Sequence, residues 1–355
     1  MSDKLRWRTL LVAVVFFLAS MSGMLVYANE KAIVITEGSG EQLLKQNSND
    51  GSGLKPELQE AKSFVFDREG IAGDRLCIPL PNGVKAENVV IENRYMDEEL
   101  RITIVDGDAS FYNTQAVYGD ITGIVAGTYE GSALGVLMKF KLTDIFECKS
   151  VLEGGKLYID FVKPYDVYEK VVVIEPVYGA LVDADEAVWW QETEIVLDVA
   201  KKLKAKLDAT DIKAYFTRLD ETEVSDNAGL ELVQKVDADF ILSLGVSHDL
   251  TNPVKYGTEV IYNNDFFTPQ LSSTELAEET LRQVVTHISG RGIGLTWATE
   301  NETTLWNAKV PAVLLKMGYL SNEQEAQLLA REDYREKIAE GIYQAILEVY
   351  KGDGQ

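Results

Sequence analysis

Residues 311–322 read PAVLLKMGYLSN, and the apolar residues at the start of this stretch mark a strand at the centre of the fold. A continuous apolar run without polar alternation is typical of a strand that is buried on both faces of a sheet. Two similar runs precede it, VVVI at residues 171–174 and FILSL at residues 240–244. Three such strands predict the middle of a largely parallel sheet.

Amphipathic helices are predicted between and after these strands, because apolar residues recur every three or four positions in two segments. They are Ile195, Val196, Val199, Leu203 and Leu207 in the first segment, and Ile338, Ile342, Ile346 and Val349 in the second. Strands that alternate with helices favour an α/β fold. We therefore predict an α/β domain at residues 167–355, with a mostly parallel sheet flanked by helices.

Residues 61–166 show a different pattern, in which apolar and polar residues alternate with period two. Clear examples are residues 100–104, 136–142 and 157–161, with Gly, Asn and Asp between the alternating runs. This pattern predicts a small antiparallel β-domain. The only two cysteines, Cys77 and Cys148, fall here. They could form one disulfide, although buried free thiols are the more usual state of such residues.

The N-terminal segment is typical of an exported protein. Residues 1–8 carry three basic residues and one acid, and residues 9–28 carry no charge. A run of about twenty apolar residues can cross a bilayer, and its Val-Tyr-Ala end also suits signal-peptide cleavage. Residues 1–28 are thus predicted to be a signal peptide or a membrane anchor. Residues 29–60, rich in Gly, Ser, Asn and Glu, are predicted to be a flexible linker.

The net charge of the chain limits the classes of partner that it can bind. The formal net charge is −23, and residues 29–355 carry −25 because the first 28 residues hold three bases against one acid. A surface this acidic repels phosphate backbones, so nucleic acid is excluded as a partner. Binding to an anionic cell wall would then require a specific groove.

Residues 170–350 resemble the zinc-dependent N-acetylmuramoyl-L-alanine amidases of bacterial cell walls. The most specific resemblance is residues 311–322, which follow the family segment Pro-Ala-Val-Leu-Val-Glu-Leu-Gly-Phe-Leu-Ser-Asn. The Glu of that segment is catalytic in the family, and Lys316 stands in its place. The β-rich region at residues 61–166 also resembles, in outline, the targeting domain that often precedes such amidases.

The family's metal ligands can be placed in the same way. A His in Asp-Pro-Gly-His-Gly-Gly corresponds to Tyr178, and a Glu that opens the first long helix corresponds to Glu192. A second His, in Ser-Ile-His, corresponds to Gly245. The resemblance therefore implies a degenerate member in which both His ligands and the catalytic Glu are replaced.

These replacements bear directly on the family reaction, hydrolysis of the amide between muramic acid and L-alanine. Zinc with an open coordination position activates water, and a carboxylate moves the proton. A Gly offers no ligand, Tyr is an uncommon one, and a protonated Lys cannot act as a base. We expect no zinc, no activity, and a polar cluster in which Lys316 pairs with Glu192 and Tyr178.

The resemblance implies a cell-wall-associated protein outside the cytoplasm that binds peptidoglycan or regulates a wall hydrolase. Residues 9–28 would hold it at the membrane if they are not cleaved. Tyr178, Glu192, Trp190 and His248 are the candidates for lining the former substrate groove. The alternatives are a purely structural assembly protein and an active metal-dependent amidase. In the latter, zinc would be bound by Glu192 and His248, with Tyr178 or Asp249 as a further ligand.

Overall fold

The computed structural model describes residues 33, 35–37, 60–67, 75–119, 123–132, 135–177, 186–263 and 271–352. The chain folds into two compact units, residues 1–162 and 163–355. The predicted signal or anchor segment at residues 9–28 lies outside the described residues. Within the described part, no helix is long and apolar enough to cross a bilayer.

The first unit is built from two β-sheets. One sheet has the strand order β1-β5-β6-β9-β8-β2 and the other β10-β11-β4-β7-β3. The strands are β1 Ile35–Glu37, β2 Lys62–Ser63, β3 Val65–Asp67, β4 Leu76–Pro79, β5 Val89–Arg94, β6 Glu99–Val105, β7 Ala116–Tyr118, β8 Ile124–Ser132, β9 Gly135–Leu142, β10 Glu147–Glu153 and β11 Lys156–Val162.

The alternating segments predicted as strands are confirmed as β6, β9 and β11, and their apolar residues form one core. The antiparallel prediction holds for most neighbouring pairs, whereas β1 with β5 and β3 with β7 are parallel. The predicted linker is wrong at its start, because Ile33 is buried in the core and β1 extends the first sheet. β1 pairs in parallel with β5 in that sheet.

The two cysteines are free thiols. Cys77 on β4 is buried, whereas Cys148 on β10 is only partly buried. β11 lies between these two strands, with Phe161 opposite Cys148 and Tyr158 opposite Cys77. A disulfide would require the two Cα atoms to lie within about 7 Å, and two strand spacings of about 4.8 Å each already exceed this.

The second unit is the predicted α/β fold. Its six-stranded sheet has the order β13-β12-β14-β17-β15-β16, and all neighbours are parallel except the antiparallel pair β15 and β17. The strands are β12 Val171–Pro176, β13 Lys213–Phe216, β14 Phe240–Ser247, β15 Thr258–Tyr262, β16 Gly292–Trp297 and β17 Ala312–Tyr319. The helices are α1 Glu186–Leu207, α2 Ala228–Val236, α3 Ser273–Ile288, α4 Thr303–Asn307, α5 Glu323–Leu329 and α6 Glu332–Gly352.

Helices cover both faces of this sheet. α1, α3 and α6 pack on one face, where every second residue of β12, β14 and β17 joins their apolar residues in one core. α2 and α4 lie on the opposite face. Burial on both faces explains the continuous apolar runs from which the strands were predicted.

Candidate functional site

The candidate site lies where the parallel strands β12, β14 and β17 end. In open α/β sheets, ligands bind beyond the carboxyl ends of the strands. Gly245 and Lys316 occupy this part of β14 and β17 and are register partners. Lys316 is also the register partner of Glu259 on β15. Glu259, Lys316 and Gly245 thus form one row across three strands, on the face that α2 and α4 cover.

Glu192 approaches the site from α1. It is fully buried, and it is the position at which the family's ligand type is retained. The sequence predicted that it would open the helix, whereas α1 begins six residues earlier, at Glu186. Trp190, two positions earlier, is 45% exposed.

The ammonium of Lys316 lies close to the backbone of β14. Its Nζ atom donates a hydrogen bond to the carbonyl oxygen of Val246 at 3.2 Å. A Cβ atom placed on Gly245 would lie 3.7 Å from the same Nζ and 3.2 Å from Cγ2 of Val177. The side chains of Val177, Leu314 and Lys316 therefore bound the space beside Gly245.

Three carboxylates act on this ammonium. Burial lowers the pKa of Lys316, and the charges of Glu192, Glu302 and Glu259 oppose that shift. Glu192 thus acts on Lys316 through its charge, although the two side chains form no ion pair in the described structure. The hydrogen bond of the ammonium, however, goes to a backbone carbonyl. Tyr178, the third expected member of the cluster, lies outside the described residues.

Sequence reasoning missed Glu259 and Glu302. Glu259 accepts hydrogen bonds from Oγ1 of Thr296 at 2.6 Å and from the hydroxyl of Tyr319 at 3.2 Å. Glu302 accepts from the backbone N–H and Oγ1 of Thr299, just before α4. The available signal was the alternation of the segment TEVIY, which places Glu259 and Ile261 on one face of β15.

A second row on the same face carries a buried carboxylate. Glu175 on β12 is the register partner of Ser243 on β14 and accepts a hydrogen bond from its hydroxyl. It also accepts from Oγ1 of Thr304 on α4 at 3.1 Å and from the backbone N–H of Gly229 on α2. Burial raises the pKa of Glu175. This carboxylate therefore attaches both helices of this face to the sheet.

The end of the segment PAVLLKMGYLSN has a structural role. The buried carboxylate of Glu325 accepts hydrogen bonds from the backbone N–H groups of Gly257 and Tyr319. A Cβ atom on Gly318 would lie 2.8 Å from the carboxyl carbon of Glu325, so only glycine allows this approach. The Asn322 side chain accepts from the N–H of Glu325 and caps α5. The motif thus fastens loop 248–257 to β17.

His248 and Asp249 lie in that loop, directly after β14. Asp249 accepts hydrogen bonds from the backbone of Thr251 and Asn252 and from the Thr251 hydroxyl, and these bonds lower its pKa. Its carboxylate is therefore engaged within its own loop. His248 is partly buried.

The described residues at the family's metal positions do not fit a zinc ion. Catalytic zinc sites use three protein ligands with N, O or S donors. Here Glu192 supplies one carboxylate, Gly245 has no side chain, and Lys316 places an ammonium beside it. In the part of the chain that the structure describes, no three His, Cys, Asp or Glu side chains are placed to hold a metal ion. The structure therefore does not assemble Glu192, His248 and Asp249 into the alternative centre.

Comparison with known proteins agrees with the fold and the strand-end motifs. Residues 175–348 match the family model of N-acetylmuramoyl-L-alanine amidase. The amidase LytC of Bacillus subtilis is 25% identical over 161 residues, which are 45% of this chain and 31% of LytC. An uncharacterized cell wall amidase of Bacillus anthracis is 24% identical over 196 residues, which are 52% of this chain and 36% of that protein. The match spans about a third of each of these two relatives.

Solved structures of amidases also match this half of the chain. The N-acetylmuramoyl-L-alanine amidase of Clostridium difficile 630 has a TM-score of 0.47 and 26% identity, covering 52% of this chain and 98% of that one. The catalytic domain of CwlV, from Bacillus (Paenibacillus) polymyxa, has a TM-score of 0.45 and 24% identity, covering 51% and 98%.

The mixed sheet flanked by helices, with the segment PAVLLKMGYLSN on its fourth strand, defines an α/β domain of the cell-wall amidase type. The C-terminal unit of this chain belongs to the N-acetylmuramoyl-L-alanine amidase family. The predicted family and fold class are confirmed.

Proposed function

We propose that this protein is a noncatalytic member of the amidase family that acts outside the cytoplasm and binds peptidoglycan. The observation that supports the proposal is the position of the Lys316 ammonium. It stands where the family has its catalytic Glu, and it lies within contact distance of the space beside Gly245, where the family has a His ligand. A protonated lysine cannot accept the proton of the attacking water.

Two features favour binding rather than loss of all function. The match to the family model extends from β12 to α6. The strand-end motif that fastens loop 248–257 is also intact, through Gly318, Asn322 and Glu325. The loop next to the strand ends is therefore held in place, and the exposed Trp190 on α1 offers a flat apolar surface on which a sugar ring can stack.

The proposed location follows from the N-terminal segment and the relatives. The basic residues before residue 9 and the uncharged run at 9–28 suit export, either as a cleaved signal or as an anchor. The relatives named above are cell wall amidases. Peptidoglycan is accordingly the proposed partner, and regulation of a true wall hydrolase is the role such binding would serve.

Sedimentation with washed cell-wall sacculi tests this proposal. We expect the purified full chain to pellet with sacculi and to release no stem peptide from them. Trp190→Ala should weaken the binding by about 5- to 100-fold, because stacking of a ligand ring on an aromatic side chain contributes about 1–3 kcal/mol.

Trp297→Ala is the matched control. Trp297 is also exposed, but it is level with Val313 on β17 rather than with Lys316, and so lies away from the carboxyl ends of β12, β14 and β17. This variant should bind as the unchanged protein does. A full chain that stays in the supernatant, or one that releases stem peptide, would refute the proposal.

A further inference from the structure

Gly245 and Lys316 differ from the family in opposite directions, one by loss of a side chain and the other by gain of a longer one. They are register partners on adjacent strands and face the same side of the sheet. In such a pair, the side chains lie about 5 Å apart at Cβ and share the space above the strands. The two positions therefore depend on each other physically.

A side chain at residue 245 would have to share its space with the side chains of Val177, Leu314 and Lys316. A Cβ atom at residue 245 would already lie 3.7 Å from Nζ of Lys316, which is ordinary van der Waals contact. An imidazole ring extends well beyond Cβ and would have to displace either the ammonium or Val177, whose Cγ2 atom would be 3.2 Å away. The ammonium is also fixed there, because it donates to the carbonyl oxygen of Val246.

Three carboxylates act on the ammonium through their charge. Glu192, fully buried on α1, acts on it together with Glu259 on β15 and Glu302 before α4. Three elements thus direct negative charge towards one positive atom. A divalent cation would have to share this position with the ammonium, and like charges at such distances repel strongly in a partly buried site.

We propose that Gly245 and Lys316 are one coupled change, in which the Lys316 ammonium occupies the position left by the metal and its ligand at residue 245. The chain thereby carries its own cation among the carboxylates of the former site. This inference rests on the noncatalytic interpretation of the site but not on peptidoglycan binding. Its readout is stability, so it and the sacculus experiment can fail independently.

A double-mutant cycle in the full chain tests the coupling. Unfolding can be followed by tryptophan fluorescence, because four of the five tryptophans lie in residues 163–355 and the fifth is Trp7. Gly245→His should raise the unfolding equilibrium constant by about tenfold or more, as expected for overpacking. Adding Lys316→Ala should recover about tenfold of that loss, because the imidazole then has room.

Lys255→Ala is the matched control for the second substitution. Lys255 lies in the neighbouring loop, with its ammonium 4.8 Å from the ring centre of Tyr319. Combined with Gly245→His, it should give additive effects, as for residues without shared contacts. If Gly245→His does not fold, the same cycle with the shorter side chain of Gly245→Asn gives the answer. Additive effects of the residue 245 and Lys316→Ala substitutions would overturn the proposal.

Discussion

Glu175 shows how a single carboxylate can be tested for its contribution to the fold. It lies on the same face of the sheet as Lys316, in the neighbouring row of residues. Its carboxylate joins β12 to β14, α2 and α4 through Ser243, Gly229 and Thr304. Burial raises its pKa, and the hydrogen bonds from these three partners oppose that shift. Ionisation of Glu175 therefore costs more free energy in the folded state than in the unfolded chain.

The sign of the resulting pH dependence follows from proton binding. Above about pH 4.5, the unfolded chain has released the proton of Glu175 while the folded state still holds it. The stability of the C-terminal unit should therefore fall as the pH rises from about 4.5 through the folded pKa. The Glu175→Gln side chain cannot ionise, so this variant should not lose that stability. The difference between its free energy of unfolding and that of the unchanged protein should therefore shift in its favour as the pH rises.

Denaturant titrations followed by tryptophan fluorescence, at several pH values from 4.5 to 8, measure this difference. Glu300→Gln, at an exposed position of the same unit, is the control and should follow the unchanged protein. Parallel pH profiles for Glu175→Gln and the unchanged protein would show that Glu175 makes no such contribution.

At the same scale, the sequence predicted the substituted positions but not their surroundings. Lys316, Glu192 and Gly245 could be placed because each stands within a recognisable motif. Glu259 and Glu302 could not, since their proximity to Lys316 depends on the antiparallel pairing of β15 with β17 and on where α4 packs. Such pairing joins residues more than fifty positions apart, and no local pattern encodes it.

At the scale of elements, the close approach of α3 and α6 depends on one glycine. A Cβ atom on Gly341 of α6 would lie 2.6 Å from Cα and 3.0 Å from N of Val284 on α3. Both atoms belong to the backbone of a helix, so neither can move aside as a side chain could. The two helices together form most of the cover over one face of the sheet.

Gly341→Ala should therefore destabilise the C-terminal unit. Alanine is favoured over glycine in a helix by up to about 1 kcal/mol, but the clash costs about 1–3 kcal/mol or more. We expect a net loss of about 1–2 kcal/mol in the free energy of unfolding, measured by denaturant titration.

Gly292→Ala at the start of β16 is the control, because its Cβ would meet Cγ2 of Val285 at an ordinary 3.4 Å. That substitution should change stability little. A Gly341→Ala protein as stable as the unchanged one would mean that the helices can separate without cost.

The three central strands and the two longest helices of the C-terminal unit were predictable, because burial on one or both faces leaves a pattern in the sequence. The strands β12, β14 and β17 and the helices α1 and α6 follow from such patterns. β1 was missed because its three residues, Ile35–Glu37, are too few to show a period. The start of α1 was placed six residues late, since its first turns include few residues of the apolar stripe.

At the scale of the whole molecule, the two units differ in what the structure shows of them. The first unit is a β-fold whose likeness to wall-targeting domains remains a prediction. The second unit carries the family's frame together with a site that is chemically changed. Residues 9–28 lie outside the described part of the chain, so export remains a prediction from their composition.

The central claim is that the former metal site holds a lysine ammonium in place of zinc. The most direct test is the zinc content of the full chain, purified without chelator and measured by elemental analysis after equilibration with excess zinc and desalting. We predict far less than one zinc ion per chain, and an unfolding midpoint that EDTA leaves unchanged. One zinc ion per chain, with release of stem peptide from peptidoglycan, would contradict the account.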